Sequence, residues 1–505
     1  MSKQQVNEIE KVIISATSVA GKSYIKKLYE IEKPFTYVTI SENSLTQSKE
    51  YQVGEPTLTK KEVDAFQKIK DFLIDTLNVT MKDFSSPKEA GEYIEEKVKL
   101  LSKKYHLKLD ENNLNKILYY IKRDYLGFGK IDIMMKDKLI EDISCNGVSL
   151  PIYIWHREYE SVPTNVSFNS QDELDSFITR LAYQSGKMIS LAKPLLDASL
   201  PDGSRIQMSY GKQVTRHGST FTIRKFNAEP LTIIDLIRTN TLSSEMAALF
   251  WFLIEHKCSL FVCGGVASGK TTMLNCLSSF INPDAKIVTI EDTPEIQIYH
   301  KNWIRSVTRP TMKTDTDISM FDLLRSAVRQ RPDYIIVGEI RGEEAYTLFQ
   351  AMATGHLGLA TLHADSAESA ISRLETKPMD IPKRLVAGLN LITIQERIER
   401  KGIPLRRTVS TTEVLGLNSA NNEVETQEIF GWNVKTDQYD QTAKSYYLEK
   451  TAKKLGLDAN DAEKEIDERQ NVLEWMNTRG INTFSEVGEV IRNFKTMPKG
   501  FYSQS

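Results

Sequence analysis

Hydrophobic and polar positions change period several times along the chain, and each change marks a candidate boundary. Residues 1–60 are weakly patterned and polar, with helical fragments expected at 6–14 and 24–31. From 61 to 126 apolar residues recur at helical spacing, as in Ala65, Ile69 and Leu73, or Ile117, Leu118, Ile121 and Tyr125. That spacing gathers them on one helix face and predicts a helical bundle. Across 127–226 the pattern shortens to strand-like pieces at 152–155 and 220–223, broken by Asn146-Gly147, Asp202-Gly203 and His217-Gly218. Helices at 172–185 and 232–239 flank these pieces, which predicts an α+β domain. A hinge is expected at 227–235, because Pro230 disfavours helix in the residue before it.

From 236 to 432 strands alternate with helices: strand 260–263, helix from Lys270, strand 287–290, helix 320–331, strand 334–337, helix 343–354, strand 359–362. Such alternation predicts an α/β core, a mostly parallel sheet with helices on both faces and ligands at the carboxyl ends of its strands. An apolar helix at 246–254 precedes it and a hairpin, 408–415 with 423–431, closes it. Residues 433–505 are expected to be helical, with an amphipathic stretch at 463–494.

Composition changes this picture little. A chain of 505 residues exceeds one compact core, and a net charge of −2 gives no general attraction to nucleic acid. The longest apolar run, 246–254, is about half of a membrane span, and the N-terminus has no basic-then-apolar leader pattern. A cytoplasmic protein with peripheral membrane contact is the expectation. The four cysteines form no CxxC pair, so reduced core thiols are expected rather than a zinc site or disulfide framework.

The chemistry is concentrated in four segments. After the strand at 260–263 come Gly264, Gly265, Val266, Ala267, Ser268, Gly269, Lys270, Thr271 and Thr272, which match a phosphate-binding loop in its strand–loop–helix setting. Glycines let several backbone N–H groups converge on one polyphosphate, and the helix opening at Lys270 adds its dipole. Lys270 would reach the β/γ-phosphates and Thr271 would hold Mg²⁺. A second strand ends in Gly338-Glu339, where Glu339 would stand on the Mg²⁺ side; an Asp commonly occupies the position of Gly338. The third segment carries Glu291, Asp292 and Glu295, three carboxylates close enough to repel unless a cation or water separates them. The fourth holds His356 and His363, whose spacing fits phosphate contact or a link to moving elements better than zinc.

In chain order and wording, the segments 264–271, 289–295, 334–339 and 354–363 resemble the Walker A, Asp box, Walker B and His box of the secretion ATPase superfamily. Its members serve type II and type IV secretion, type IV pili and the archaellum. The similarity extends from about 120 to 400, through 140–144, 200–206 and 324–333, and the stretches 127–132 and 151–156 are similar to its archaeal branch. The four-cysteine zinc insert common in bacterial type II members has no counterpart.

The resemblance implies a RecA-like ATPase core, ATP and Mg²⁺, and a homohexamer. It also implies work on a polytopic membrane platform protein and other filament-assembly components at the inner face of the cell membrane. The archaellum motor is the favoured member, ahead of a pilus or secretion assembly ATPase. By position it implies water activation by Glu295 with Glu291 supporting, charge neutralisation by Arg205 and Arg224, and roles for Arg325 and Arg329 or mere helix-surface placement. A nucleic-acid translocase would want a basic, aromatic-bearing channel; Lys97, Lys99, Lys103 and Lys104 are basic but fit a solvated helix face, and the charge balance and absent helicase motifs leave no nucleic-acid partner expected. A nucleotide-gated scaffold without turnover would not need both Glu295 and Glu339.

Overall fold

The computed structural model describes residues 23–76, 86–105, 107, 109–226, 230–309, 317–400 and 403–494. The expected helix at 6–14, and residues 227–229 of the expected hinge, lie outside them. The chain divides into two compact units, Met1–Asn227 and Ala228–Ser505.

In the first unit, three strands open the described chain: β1 (Ser23–Glu32), β2 (Thr36–Asn43) and β3 (Lys49–Gly54). This corrects the helix expected at 24–31. Ile25, Lys27, Tyr29 and Ile31 alternate inward against outward Tyr24, Lys26, Leu28 and Glu30, a period of two. Tyr24 and Leu28 on the outer face blur that alternation into a helix-like spacing. Tyr29 and Tyr51 both donate to Asp137 Oδ2, at 2.6 and 2.8 Å, which ties the strands to the rest of the unit.

Three helices follow, α1 (Lys60–Thr76), α2 (Pro87–Lys104) and α3 (Glu111–Tyr125), around a small core of Ile69, Leu73, Ile94, Val98, Ile117 and Ile121. Ser86 and Asp110 cap α2 and α3 through the N–H groups of Glu89 and Asn113. After the short α4 (Asp132–Lys136) the chain forms β4 (Ile140–Cys145), β5 (Pro151–His156), β6 (Glu160–Ser167), α5 (Gln171–Gln184), β7 (Leu195–Ser199), β8 (Arg205–Ser209) and β9 (Thr220–Arg224). The nine strands make one sheet in the order β1-β2-β3-β6-β5-β4-β9-β8-β7.

The second unit begins with α6 (Ile233–Arg238) and α7 (Ser244–Glu255). Every residue from Met246 to Ile254 is buried, as expected of a helix that is apolar all round. The core then alternates β10 (Leu260–Gly264), α8 (Lys270–Ser278), β11 (Ile287–Glu291), β12 (Trp303–Val307), α9 (Met320–Val328), β13 (Tyr334–Val337), α10 (Glu344–Ala353), β14 (Leu357–Leu362), α11 (Ala367–Glu375), α12 (Lys383–Val386) and β15 (Leu391–Arg400). The sheet order is β12-β11-β13-β14-β10-β15, all parallel. It continues through antiparallel β16 (Ile403–Leu417), β17 (Val424–Asn433) and β18 (Gln438–Gln441). Leu260 and Val262 enter one core while Phe261 and Cys263 enter the other, so the sheet is buried on both faces, as the expected α/β class requires.

β18 departs from the all-helical reading of 433–505: it pairs with β17, and Tyr439 donates to the carbonyls of Asn240 and Thr241. The remainder is α13 (Tyr446–Leu455), α14 (Ala459–Arg479) and α15 (Phe484–Asn493). Gly480 at φ +72° ends α14, so 463–494 is two helices and not one. Among the described residues no helix is long and apolar enough to cross a membrane.

Candidate functional site

Parallel pairing of β11, β13, β14 and β10 brings four strand ends to one edge of the second unit's sheet. The loop after β10 turns there through Gly264 (φ +153°), Ala267 (φ +59°) and Gly269 (φ +92°). A Cβ on Gly264 would stand 2.2 Å from the Gln395 carbonyl oxygen on β15, so only glycine lets the loop lie this close to the sheet. Ser268 is buried and donates to Gly265 O at 3.0 Å, while Gly265, Val266 and Ala267 form the exposed crest. α8 starts at Lys270, with Thr271 and Thr272 half-buried in its first turn.

Lys270 folds its ammonium back onto the loop, donating to Gly265 O at 2.6 Å and lying 3.4 Å from His363 Nδ1. Burial lowers its pKa, and the carboxylate of Glu339 partly offsets that. A cation and a helix N-terminus beside an exposed glycine crest fit a polyphosphate.

The acids occupy the neighbouring strand ends. Glu339 follows β13, and one of its oxygens, Oε1, lies 3.0 Å from His363 Nε2, although not aligned as a hydrogen bond. Arg341 pairs with the other oxygen and reaches toward Asp292 at 3.9 Å. Burial pushes the Glu339 carboxyl up, but Arg341, His363 and Lys270 outweigh it and hold the pKa below the usual range. His363 is pushed down by burial first and by Lys270 second, which disfavours protonation of the ring between cation and carboxylate.

Gly338 also has a physical reason. A Cβ there would sit 3.2 Å from Cγ of Glu291, closer than an ordinary contact, and the acid of this strand end stands one position on, at Glu339. Glu291 ends β11 almost fully buried and accepts from the backbone N–H of Glu295 at 2.8 Å and of Ile296 at 2.7 Å. Burial drives its pKa up to about 7, against those two bonds and Arg305, which stands 3.7 Å from its second oxygen. Glu291 therefore shapes the turn that carries Glu295, and Glu295 is half-buried with its charge close enough to add to that shift.

The profile described as "Type II/IV secretion system protein" matches residues 126–453. The chain belongs to the type II/IV secretion ATPase family. An uncharacterised protein of Methanocaldococcus jannaschii is 38% identical, covering 77% of this chain and 71% of that one. A probable conjugal transfer protein TrbB of Sinorhizobium fredii is 30% identical over 50% of this chain and 77% of its own. Among solved structures, the ATPase DotB of Legionella pneumophila gives a TM-score of 0.42 at 16% identity, covering 74% of this chain and 94% of that one. The VirB11 ATPase of Brucella suis gives 0.29 at 23%, covering 55% and 89%.

Within this secretion ATPase frame, the predicted residues divide by place. Lys270, Thr271, His363, Glu339, Glu291 and Glu295 gather at the carboxyl edge of the sheet. His356 does not: it precedes β14 while His363 follows it, a separation of roughly 20 Å at strand rise. Its Nδ1 lies 3.1 Å from the Ala351 carbonyl at the end of α10. Arg325 is exposed on α9 against the Phe321 ring, and Arg329 is the exposed residue that ends that helix. In the first unit Arg205 and Arg224 face each other in register on β8 and β9, both exposed, with Asp142 opposite Arg224 on β4.

Sequence reasoning missed Arg341, Arg305, Arg373 and Arg406. Arg373 donates to the His363 carbonyl at 2.6 Å, and Arg406 Nε to the Ala267 carbonyl at 3.2 Å. Only the position of Arg341, two residues after Glu339, carried a local signal.

Proposed function

We propose that this chain is an ATP-hydrolysing motor that acts on a type IV pilus-like filament, with the archaellum motor as the favoured form. The observation that carries the reading is the line Lys270–His363–Glu339–Arg341 beside the glycine loop. It joins an anion cradle to a carboxylate held ionised, the two halves a hydrolytic phosphate site needs. Lys270 releases the Gly265 carbonyl to hold the β/γ-phosphates. Thr271 and Glu339 would hold Mg²⁺, which supplies charge neutralisation for the leaving phosphate. Glu295 orients and deprotonates water, Glu291 fixes its turn, and Arg205 and Arg224 neutralise nucleotide charge.

The active form is a homohexamer at the inner face of the cell membrane, working on a polytopic platform protein and other filament-assembly components. Membership of the secretion ATPase family and the similarity of 127–132 and 151–156 to its archaeal branch support this. The test is phosphate release from Mg-ATP by the full chain, with light scattering to size it. Turnover and a hexamer promoted by Mg-ATP are expected, and Lys270→Ala should abolish both. A strict monomer without turnover at high protein concentration would sink the proposal.

A further inference from the structure

Arg406 lies on antiparallel β16, 136 positions after Lys270 in the sequence, and touches the phosphate loop from the side. Its Nε donates to the Ala267 carbonyl at 3.2 Å. Its stem is pressed so close that a Cβ on Gly269 would meet Cδ at 3.1 Å. Among the described residues, Nε is the only nitrogen of this guanidinium with a hydrogen-bond partner, so both terminal nitrogens keep their donors.

Neighbouring acids do not take them. Asp437 is engaged by Arg407 at 2.8 and 2.9 Å and by Arg400 at 3.3 Å. The residue opposite Arg406 in register is Arg397, a second cation.

The platform is also rigid. The Gln395 carbonyl underlies Gly264, and the Thr408 N–H donates to the Thr241 carbonyl at 2.8 Å. A planar guanidinium held by one nitrogen with two others uncommitted is the geometry that binds phosphate oxygens bidentately.

We propose that Arg406 is a phosphate ligand of this site, its terminal nitrogens donating to the polyphosphate that the loop of Gly264 to Lys270 holds. This rests on the reading of that loop as a nucleotide site. In this role the Ala267 contact is the positioning bond and the fork supplies the recognition. Recognition falls on the phosphates rather than on the base, since the fork is anchored on the loop itself.

The test is calorimetric binding of ATP, ADP and inorganic tripolyphosphate to the full chain, with melting of the unliganded protein alongside. Arg406→Ala should weaken all three by roughly tenfold to a hundredfold, the range of a lost charge-assisted hydrogen bond, with melting unchanged. Arg406→Lys, which keeps the charge without the fork, should recover part of the affinity, and the salt dependence of tripolyphosphate binding should flatten in Arg406→Ala.

Unchanged tripolyphosphate affinity in Arg406→Ala would overturn the proposal, whether or not ATP binding falls, because the contact would then be to base or ribose or absent. A loss that comes with lower melting and that neutral Arg406→Gln restores would make the side chain a strut, and overturns it as well. If the unmodified chain binds none of the three probes, the loop reading itself fails. Lys270→Ala serves as the control for that outcome.

Discussion

Glu339 and His363 end neighbouring parallel strands and stand 3.0 Å apart, with Lys270 on the far side of the imidazole. Register alone produces this: β13 and β14 pair Val337 with Ala360, so the residues just beyond both strands meet at one edge. The imidazole, its pKa lowered, then stands between an ammonium and a carboxylate that still favour each other's charged forms.

Glu295→Gln should retain nucleotide binding and lower turnover on the order of a hundredfold or more, as for a lost general base. Glu339→Gln should also lower turnover, but by weakening Mg²⁺ retention, so excess Mg²⁺ should rescue it and leave Glu295→Gln unmoved. Titration of phosphate release against Mg²⁺ distinguishes the two. Rescue of Glu295→Gln alone would reverse the assignment of roles, and rescue of both, or of neither, would overturn the distinction between them.

Glu291 should make stability depend on pH. Its folded pKa, about 7, lies above the ordinary value of 4.5, so the folded state binds a proton that the unfolded chain gives up. The contribution is full below pH 4.5 and is lost as pH rises through 7. The span amounts to at most about 3 kcal/mol. Glu291→Gln keeps an acceptor for the Glu295 and Ile296 amides and removes the titration. Melting temperature against pH from 4.5 to 8 should therefore be flatter in the variant than in the unmodified chain.

Gly269→Ala should destabilise the loop by about 1–2 kcal/mol, because φ +92° is a left-handed conformation costly to any side chain. The added methyl also meets the Arg406 stem. Gly265→Ala, whose Cβ would meet nothing within 4 Å, is the control. Thermal melting should fall for Gly269→Ala and not for Gly265→Ala, and affinity for a fluorescent ATP analogue should fall in Gly269→Ala.

Arg205→Ala and Arg224→Ala should each reduce turnover, by up to roughly a thousandfold if the guanidinium neutralises transition-state charge. Both side chains are exposed on their strands, so melting should hardly change. Phosphate release and melting measured on the same preparations check this, and full activity in both variants would remove them from the chemistry.

The turn of the glycine loop between β10 and α8 was legible in the amino-acid order because its geometry is local. Nine consecutive residues make the turn, and the glycines it needs are set by backbone geometry. The α/β class was legible for a similar reason: a sheet buried on both faces needs near-continuous apolar runs, and these stand at 260–263, 287–290 (broken only by Thr289) and 334–337. The first strands were not legible. Tyr24 to Ile31 carries apolar residues on both faces, and strand became the favoured state only through pairing with β2 and the bond from Tyr29 to Asp137.

The histidines and arginines show the limit most directly. His356 and His363 look equivalent in one short segment, but six residues of extended strand carry them to opposite edges of the sheet. Arg406 had no local signal at all, since a surface-strand arginine and one resting on the Ala267 carbonyl read alike. Which charges meet depends on strand order and register, and these are settled by long-range packing. Local spacing encodes the cradle; the cations and acids around it assemble only when distant strands pair.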